Sequence, residues 1–182
     1  MNIKGFKVNF LGDSITEGVG VVDRANCRYD KRLEKMCELS KTNNYGIGGT
    51  RIAPRLKPER PGEEGFGQYF GSRVEKMDPD ADIIVVWGGT NDFGHGDAPM
   101  GTMNDRTEDT FYGAMHVLLQ RLVEKYPNAQ IVVMTPLHRC TEDVSDLNPD
   151  GLRRVGILKD YVDAIIEVAA FYAIPVLDLF RT

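Results

Sequence analysis

The sequence predicts an α/β domain of three layers (α/β/α), with a five-stranded parallel sheet between helices. Three observations carry that prediction. Residues 82–87, DIIVVW, run apolar to their end, as a strand covered on both faces must. Segments with apolar residues at helical spacing alternate with such strands along the chain. Three strands stop abruptly at glycine followed by polar side chains, the mark of a buried strand ending in a tight turn.

Each element follows in order. Residues 7–11 form the first strand, and its apolar run stops at Gly12-Asp13-Ser14. Residues 24–39 carry Ala25, Tyr29, Leu33, Met36 and Cys37 on one helical face. Residues 43–47 are a short second strand running into Gly48-Gly49, and 66–77 form a second helix that Asp78-Pro79 ends. The central strand, 82–87, stops at Gly88-Gly89. Residues 93–108 read as a long loop. The helix 110–126 places Phe111, Met115, Leu118, Leu119 and Leu122 on its apolar side, and 130–134 is a fourth strand stopped by Thr135-Pro136. A polar loop extends to about residue 152. The last helix, 155–172, repeats Ile157, Leu158, Tyr161, Ile165, Ile166 and Ala169 at helical spacing, and 174–180 is the fifth strand. Right-handed crossovers between parallel strands then give a flavodoxin-like sheet of order 2-1-3-4-5. In that order the ends of the first and third strands lie side by side at the switch point, where such sheets bind ligands.

A chain of 182 residues, 42% apolar and 27% charged, suits one soluble domain over 1–182 with a sizeable core. Its net charge of −5 gives nucleic acid or an anionic membrane no electrostatic reason to bind. No apolar run approaches the roughly 20 residues that span a bilayer, and MNIKGFKVNF leads straight into the first strand, so a cytoplasmic location is expected. Cys27, Cys37 and Cys140 lack metal-ligand spacing and read as free thiols.

Ser14 stands where a nucleophile is useful, at the carboxyl end of the first strand. Ser14-Ile15-Thr16-Glu17 also fits the S-x-x-E capping box. Gly18 and Gly20 follow at once, however, and glycine costs a helix about 1 kcal/mol relative to Ala. The other strand ends weigh in. Acyl transfer needs a nucleophile with oxyanion donors about 3 Å from the reacting oxygen. Ser14, the Gly48-Gly49 turn and Asn91 have the right chemistry, on elements that the topology brings together. Taken singly, Gly48-Gly49 fits a plain turn and Asn91-Asp92 a helix cap.

Together the three motifs resemble the SGNH hydrolases, also called the GDSL-like esterase/lipase family. GDSITEG is similar to block I, with Ser14 as nucleophile; NYGIGG to block II, with Gly49 in the oxyanion hole; GGTND to block III, with Asn91 in the oxyanion hole. The resemblance runs from about residue 7 to 180. It implies hydrolysis of carboxylic esters, often acetyl groups on carbohydrates or acyl chains on lipids, with no cofactor and no metal. It implies that the amides of Ser14 and Gly49 and the side chain of Asn91 hold the oxyanion. Asp13 and Asp92 read as hydrogen-bonding partners that shape the two turns.

The family's fourth motif, D-x-x-H, supplies the base and the aspartate that orients it. These 182 residues carry no D-x-x-H after the fifth strand, so the domain reads as C-terminally incomplete and nearly inactive, since a serine without a base is a poor nucleophile. His95 lies after block III. His116 reads as a partly exposed helical residue. His138, in TPLHR beside Glu142, Asp143 and Asp146, is expected on the rim, lining the acyl or sugar pocket or standing in as base. A non-catalytic ester- or carbohydrate-binding relative is the alternative. A phosphate or nucleotide binder is disfavoured, because GDSITEG lacks the lysine and spacing of a P-loop. A sheet edge left uncovered beyond the fifth strand is expected to promote self-association.

Overall fold

The computed structural model describes residues 2–55, 68–144 and 155–182. Its sheet has the order β2-β1-β3-β4-β5, all parallel, as the alternation of strands and helices predicts. The strands are β1 (Lys7–Gly12), β2 (Lys41–Gly46), β3 (Ile83–Trp87), β4 (Gln130–Met134) and β5 (Val176–Leu177). The helices are α1 (Ser14–Glu17), α2 (Arg24–Cys27), α3 (Tyr29–Met36), α4 (Phe70–Arg73), α5 (Thr90–His95), α6 (Phe111–Lys125) and α7 (Leu158–Phe171).

The longest helix matches its sequence signal closely. Thr110 caps α6 by accepting from Gly113 N at 3.1 Å, and Pro127 follows its last turn. Four sequence expectations are corrected. The helix expected over 24–39 is broken at Arg28, whose backbone is extended (ψ 141°). The cause is Asp30, fully buried and held bidentately by the Arg28 guanidinium at 2.6 and 2.9 Å. A buried carboxylate without that partner would be strongly destabilising. The helix expected over 66–77 is α4 followed by a 3₁₀ turn, Val74–Lys76; residues 66–67 lie outside those described. Helix α5 extends to His95, so the first three residues of the loop expected over 93–108 are helical. The strand expected over 174–180 is only two residues long. Asp178 ends it by accepting from Phe180 N and Arg181 N, so the chain turns instead of extending.

The two faces of the sheet are covered unequally. On one, Leu11, Val86 and Val133 line up across the register and are buried with Leu118, Leu119, Leu122 and Ile165 of α6 and α7. On the other, Tyr29 of α3 packs edge-on to Phe10 and to Trp87. Further along this second face Val85, Val132 and Met134 are half-buried, and Leu177 is 48% exposed. No helix among the described residues is long and apolar enough to cross a membrane.

Register positions the site. Gly12 lies opposite both Gly46 on β2 and Trp87 on β3. The three motif-bearing segments therefore leave the sheet at one level, side by side. Trp87 Nε1 donates to Thr135 O at 3.0 Å, which fixes the end of β4 to the same level.

Candidate active site

Block I turns directly from β1 into α1. Asp13, not Ser14, is the N-cap, accepting from Ile15 N at 2.9 Å. The S-x-x-E capping box does not form, because the Glu17 carboxylate instead accepts from Gly48 N at 2.6 Å. Ser14 thus stands at the first position of a four-residue helix, half-buried. Its hydroxyl makes no hydrogen bond among the described residues.

Block II is pressed against α1. Asn44 Nδ2 donates to Thr16 O at 2.7 Å, and Ile47 N donates to Gly12 O at 3.1 Å. A Cβ on Gly46 would stand 2.1 Å from Glu17 N and 2.6 Å from Thr16 C. Both are backbone atoms and neither can swing away. Gly46→Ala is therefore expected to cost at least the upper part of the 1–3 kcal/mol typical of overpacking, a fall in melting temperature of roughly 6–12 °C. Thermal unfolding within a degree of the native chain would contradict this packing. A Cβ on Gly48 would lie 3.7 Å from Ser14 Cβ, so the glycine turn touches the serine. Gly49 has φ +72°, a backbone that side-chain-bearing residues rarely adopt. Its N–H donates to no described residue.

Block III lies on α5. Asn91 Nδ2 donates to Thr50 O at 2.9 Å, tying block III to the end of block II and leaving its second N–H. Asp92 does not shape its own turn, as expected from sequence. It reaches across the cleft and accepts from Ile52 N and Ala53 N at 3.1 and 2.9 Å. Gly48 thus adjoins Ser14 and Thr50 is bonded to Asn91, on either side of Gly49. The donor set holds no cluster of His, Cys, Asp or Glu suited to a metal among the described residues.

Burial shapes the two aspartates. Asp13 and Asp92 are 2% and 3% exposed. Desolvation pushes each carboxyl up to about 6, against the pull of the backbone N–H groups and of Arg73 or Arg51. The unfolded chain would release these protons near pH 4. Between pH 4 and 6 the folded state therefore binds more protons, and this pair makes stability fall as pH rises through that window. A decrease on the order of 1–3 kcal/mol per carboxyl is expected in urea unfolding between pH 4.5 and 7. Asp13→Asn should flatten the slope, and an equal slope in that variant would exclude Asp13 as its source.

The histidines fall away from the serine. His116 is not partly exposed. It is fully buried between α6 and α7, with Nδ1 3.2 Å from Tyr172 OH and its ring edge-on to Phe171 and Tyr172; burial lowers its pKa. Its expected exposure failed because the apolar stripe of α6 is wider than the positions read from the sequence. His138 is exposed on the rim, with Nδ1 2.7 Å from Glu142 Oε1 and its ring tilted over Phe180 at 4.2 Å. Donating a hydrogen bond to the Glu142 carboxylate raises its pKa. The same loop is anchored to α5 by Arg139, whose Nη1 donates to Thr90 O at 3.1 Å. Asp146 lies outside the described residues. No histidine hydrogen-bonds Ser14.

Arg73, which sequence reasoning passed over, joins the motifs through a guanidinium that reaches Gly12 O, Tyr45 O and Thr50 Oγ1, and Glu17, read from sequence only as a capping-box residue, joins them through Gly48. An arginine in FGSRVEK reads as a solvated helix face, so its burial had no signal.

Comparison with known proteins agrees with this fold. The model of the GDSL-like Lipase/Acylhydrolase family matches residues 10–182. A solved Lactobacillus plantarum protein is 30% identical, with a TM-score of 0.77 over 98% of this chain and 79% of its own. A structure described as a possible lipase from Chitinophaga pinensis is 23% identical, with a TM-score of 0.67 over 97% of this chain and 68% of its own. A lipase/acylhydrolase from Enterococcus faecalis is 20% identical, with a TM-score of 0.58 over 97% and 77%. The last two likenesses concern the fold. No curated protein matches the chain.

Proposed function

This chain belongs to the GDSL-like lipase/acylhydrolase family, and on that premise we propose that it is built as a serine esterase of the SGNH type. The family supports esterase or acylhydrolase chemistry in general. In the proposed step Ser14 Oγ attacks the ester carbonyl carbon, and the carbonyl oxygen takes up the negative charge. The Ser14 and Gly49 amides and the Asn91 side chain donate to that oxygen. The alcohol then leaves with a proton, and water releases the acyl group from Ser14. The observation that supports this reading is that Ser14, Gly49 and Asn91 follow the ends of three adjacent strands, with the Ser14 hydroxyl, the Gly49 N–H and one Asn91 N–H unspent among the described residues. Oxyanion donors of this kind are worth about 2.7–4 kcal/mol each.

The substrate proposed is a small carboxylic ester, an acetylated carbohydrate or a short acyl ester. Ile15, Val19 and Val22 are exposed next to the serine turn and offer an apolar lip to the organic part of such a molecule. Among the described residues no side chain hydrogen-bonds the serine hydroxyl as a base would, so this polypeptide is proposed to bind esters and to turn them over very slowly. A non-catalytic ester- or carbohydrate-binding role is the second reading, favoured by that unpartnered hydroxyl. Prolonged exposure to a fluorophosphonate, followed by peptide mass spectrometry, separates the two. Phosphonylation at Ser14, slowed in Asn91→Ala, is expected; labelling spread over surface serines would favour the binder. We also propose self-association through the thinly covered sheet face that carries Val85, Val132, Met134 and Leu177.

A further inference from the structure

We propose that Arg73 is a positioning residue for this site, setting the turn that carries Gly49 and, through Thr50, the amide of Asn91. The inference rests on the oxyanion-hole reading above and extends it to a residue outside all three motifs.

Arg73 closes α4 and is 5% exposed. Its Nη1 donates to Gly12 O, at the end of β1, at 3.0 Å, and to Tyr45 O, near the end of β2. Its Nη2 donates to Thr50 Oγ1 at 3.0 Å. Thr50 Oγ1 in turn donates to Ile47 O at 2.7 Å. The hydroxyl proton is thereby spent, and the hydroxyl accepts from the guanidinium. Thr50 O accepts from Asn91 Nδ2 at 2.9 Å. One planar cation therefore fixes the strand end before Ser14, and Thr50 joins both ends of the turn holding Gly49 to the Asn91 amide. A lysine cannot reproduce this fork.

The charge matters as well as the geometry. Arg73 has no carboxylate at ion-pair distance among the described residues. Its acceptors are two carbonyls and a hydroxyl; the Asp13 carboxylate attracts it from farther away, and the Phe70 ring centroid lies 4.7 Å from its guanidinium carbon. Burial lowers its pKa to about 10, so it stays charged at neutral pH. A fixed cation bonded to the segments that carry Ser14 and Gly49 favours negative charge on an oxygen held there, and it does so without reorganising when that charge appears.

A tetrahedral anion tests this without any need for turnover. In 4-fluorophenylboronic acid, Ser14 Oγ bonds to boron, the hydroxyl proton passes to buffer, and boron becomes four-coordinate and negative without losing a bond. The uncharged 4-fluorobenzamide has similar shape. Affinities of both for the 182-residue chain are read by fluorine NMR, with near-ultraviolet circular dichroism to check the fold. Arg73→Met is expected to weaken boronate binding about tenfold or more and to leave the benzamide within about twofold. Arg73→Lys should restore part of the loss. Thr50→Val keeps shape and removes the hydroxyl relay; it should weaken the boronate several-fold, and it decides the matter if Arg73→Met does not fold. Native boronate affinity in folded variants would overturn the proposal. Equal loss of both ligands would also overturn it, leaving Arg73 a structural clamp. Asn91→Ala separates the levels: if it too leaves boronate binding unchanged, the oxyanion-hole reading fails. If only Asn91→Ala weakens binding, the hole stands and the role of Arg73 falls.

Discussion

A polypeptide of residues 1–182 is expected to hydrolyse a chromogenic acetate at a rate indistinguishable from its Ser14→Ala variant. A serine, its base and the orienting acid act as a unit, and losing the base typically costs on the order of 10⁶ in kcat. An esterase of ordinary turnover, about 10 per second, would then complete about one cycle a day. The structural basis is direct. Ser14 Oγ has no hydrogen-bond partner among the described residues, and His138 is engaged by Glu142 and stacked on Phe180. Binding does not depend on the base, so weak affinity for short esters with almost no turnover is the expected signature. His138→Ala belongs in the same comparison. Equal background rates from all three proteins would support this account. Robust turnover lost in both variants would make His138 the base, and the rim loop would have to move to bring it there. Turnover lost only in Ser14→Ala would point to a base other than His138, in this chain or in a neighbouring one.

Asn91→Ala is expected to lower kcat by about 10²–10³, with KM changed little, in any form of the protein that has its base. The asparagine amide has two N–H groups. One holds Thr50 O, and the other is left to meet the oxygen that becomes charged. Alanine removes both, so the loss combines a missing donor with a loosened turn. Asn91→Asp should be no better, since a carboxylate accepts where donation is needed and adds a like charge beside the oxyanion. Because α5 keeps its place through Asp92, whose carboxylate holds Ile52 N and Ala53 N, the fold should survive either change. Unchanged kcat in Asn91→Ala would remove this residue from the mechanism.

Much of this architecture is legible in the sequence, for identifiable reasons. The strand order follows from alternation and crossover handedness, which need no detail. The β3 and α6 signals are long and periodic, so burial and pattern agree. Ser14, Gly49 and Asn91 each end or follow a strand, and that position made them visible. What was hidden depends on single long-range partners. Arg28 breaks a helix only because Asp30 is buried. β2 reads poorly because Lys41, Thr42, Asn43 and Asn44 give no apolar alternation; its polar side chains are spent on Glu34, Asn9 and Thr16. Asp92 points across the cleft because two amides 39 and 40 residues away need an acceptor. Arg73 is the extreme case, a charged residue in a polar segment whose three acceptors come from two distant parts of the chain, the end of β1 and block II.

Trp87 is the only tryptophan in the chain. It sits in the register row of Gly12, edge-on to Tyr29 and bonded through its indole N–H to Thr135 O. A single fluorophore at that place makes emission a report on the strand ends themselves. Its spectrum should shift to the red when these segments part, and quenching by a small solute should rise with it. A ligand that closes over Ser14 would be expected to change the same signal. One optical trace can therefore follow both assembly of the site and collapse of the sheet, with no second indole to blur them.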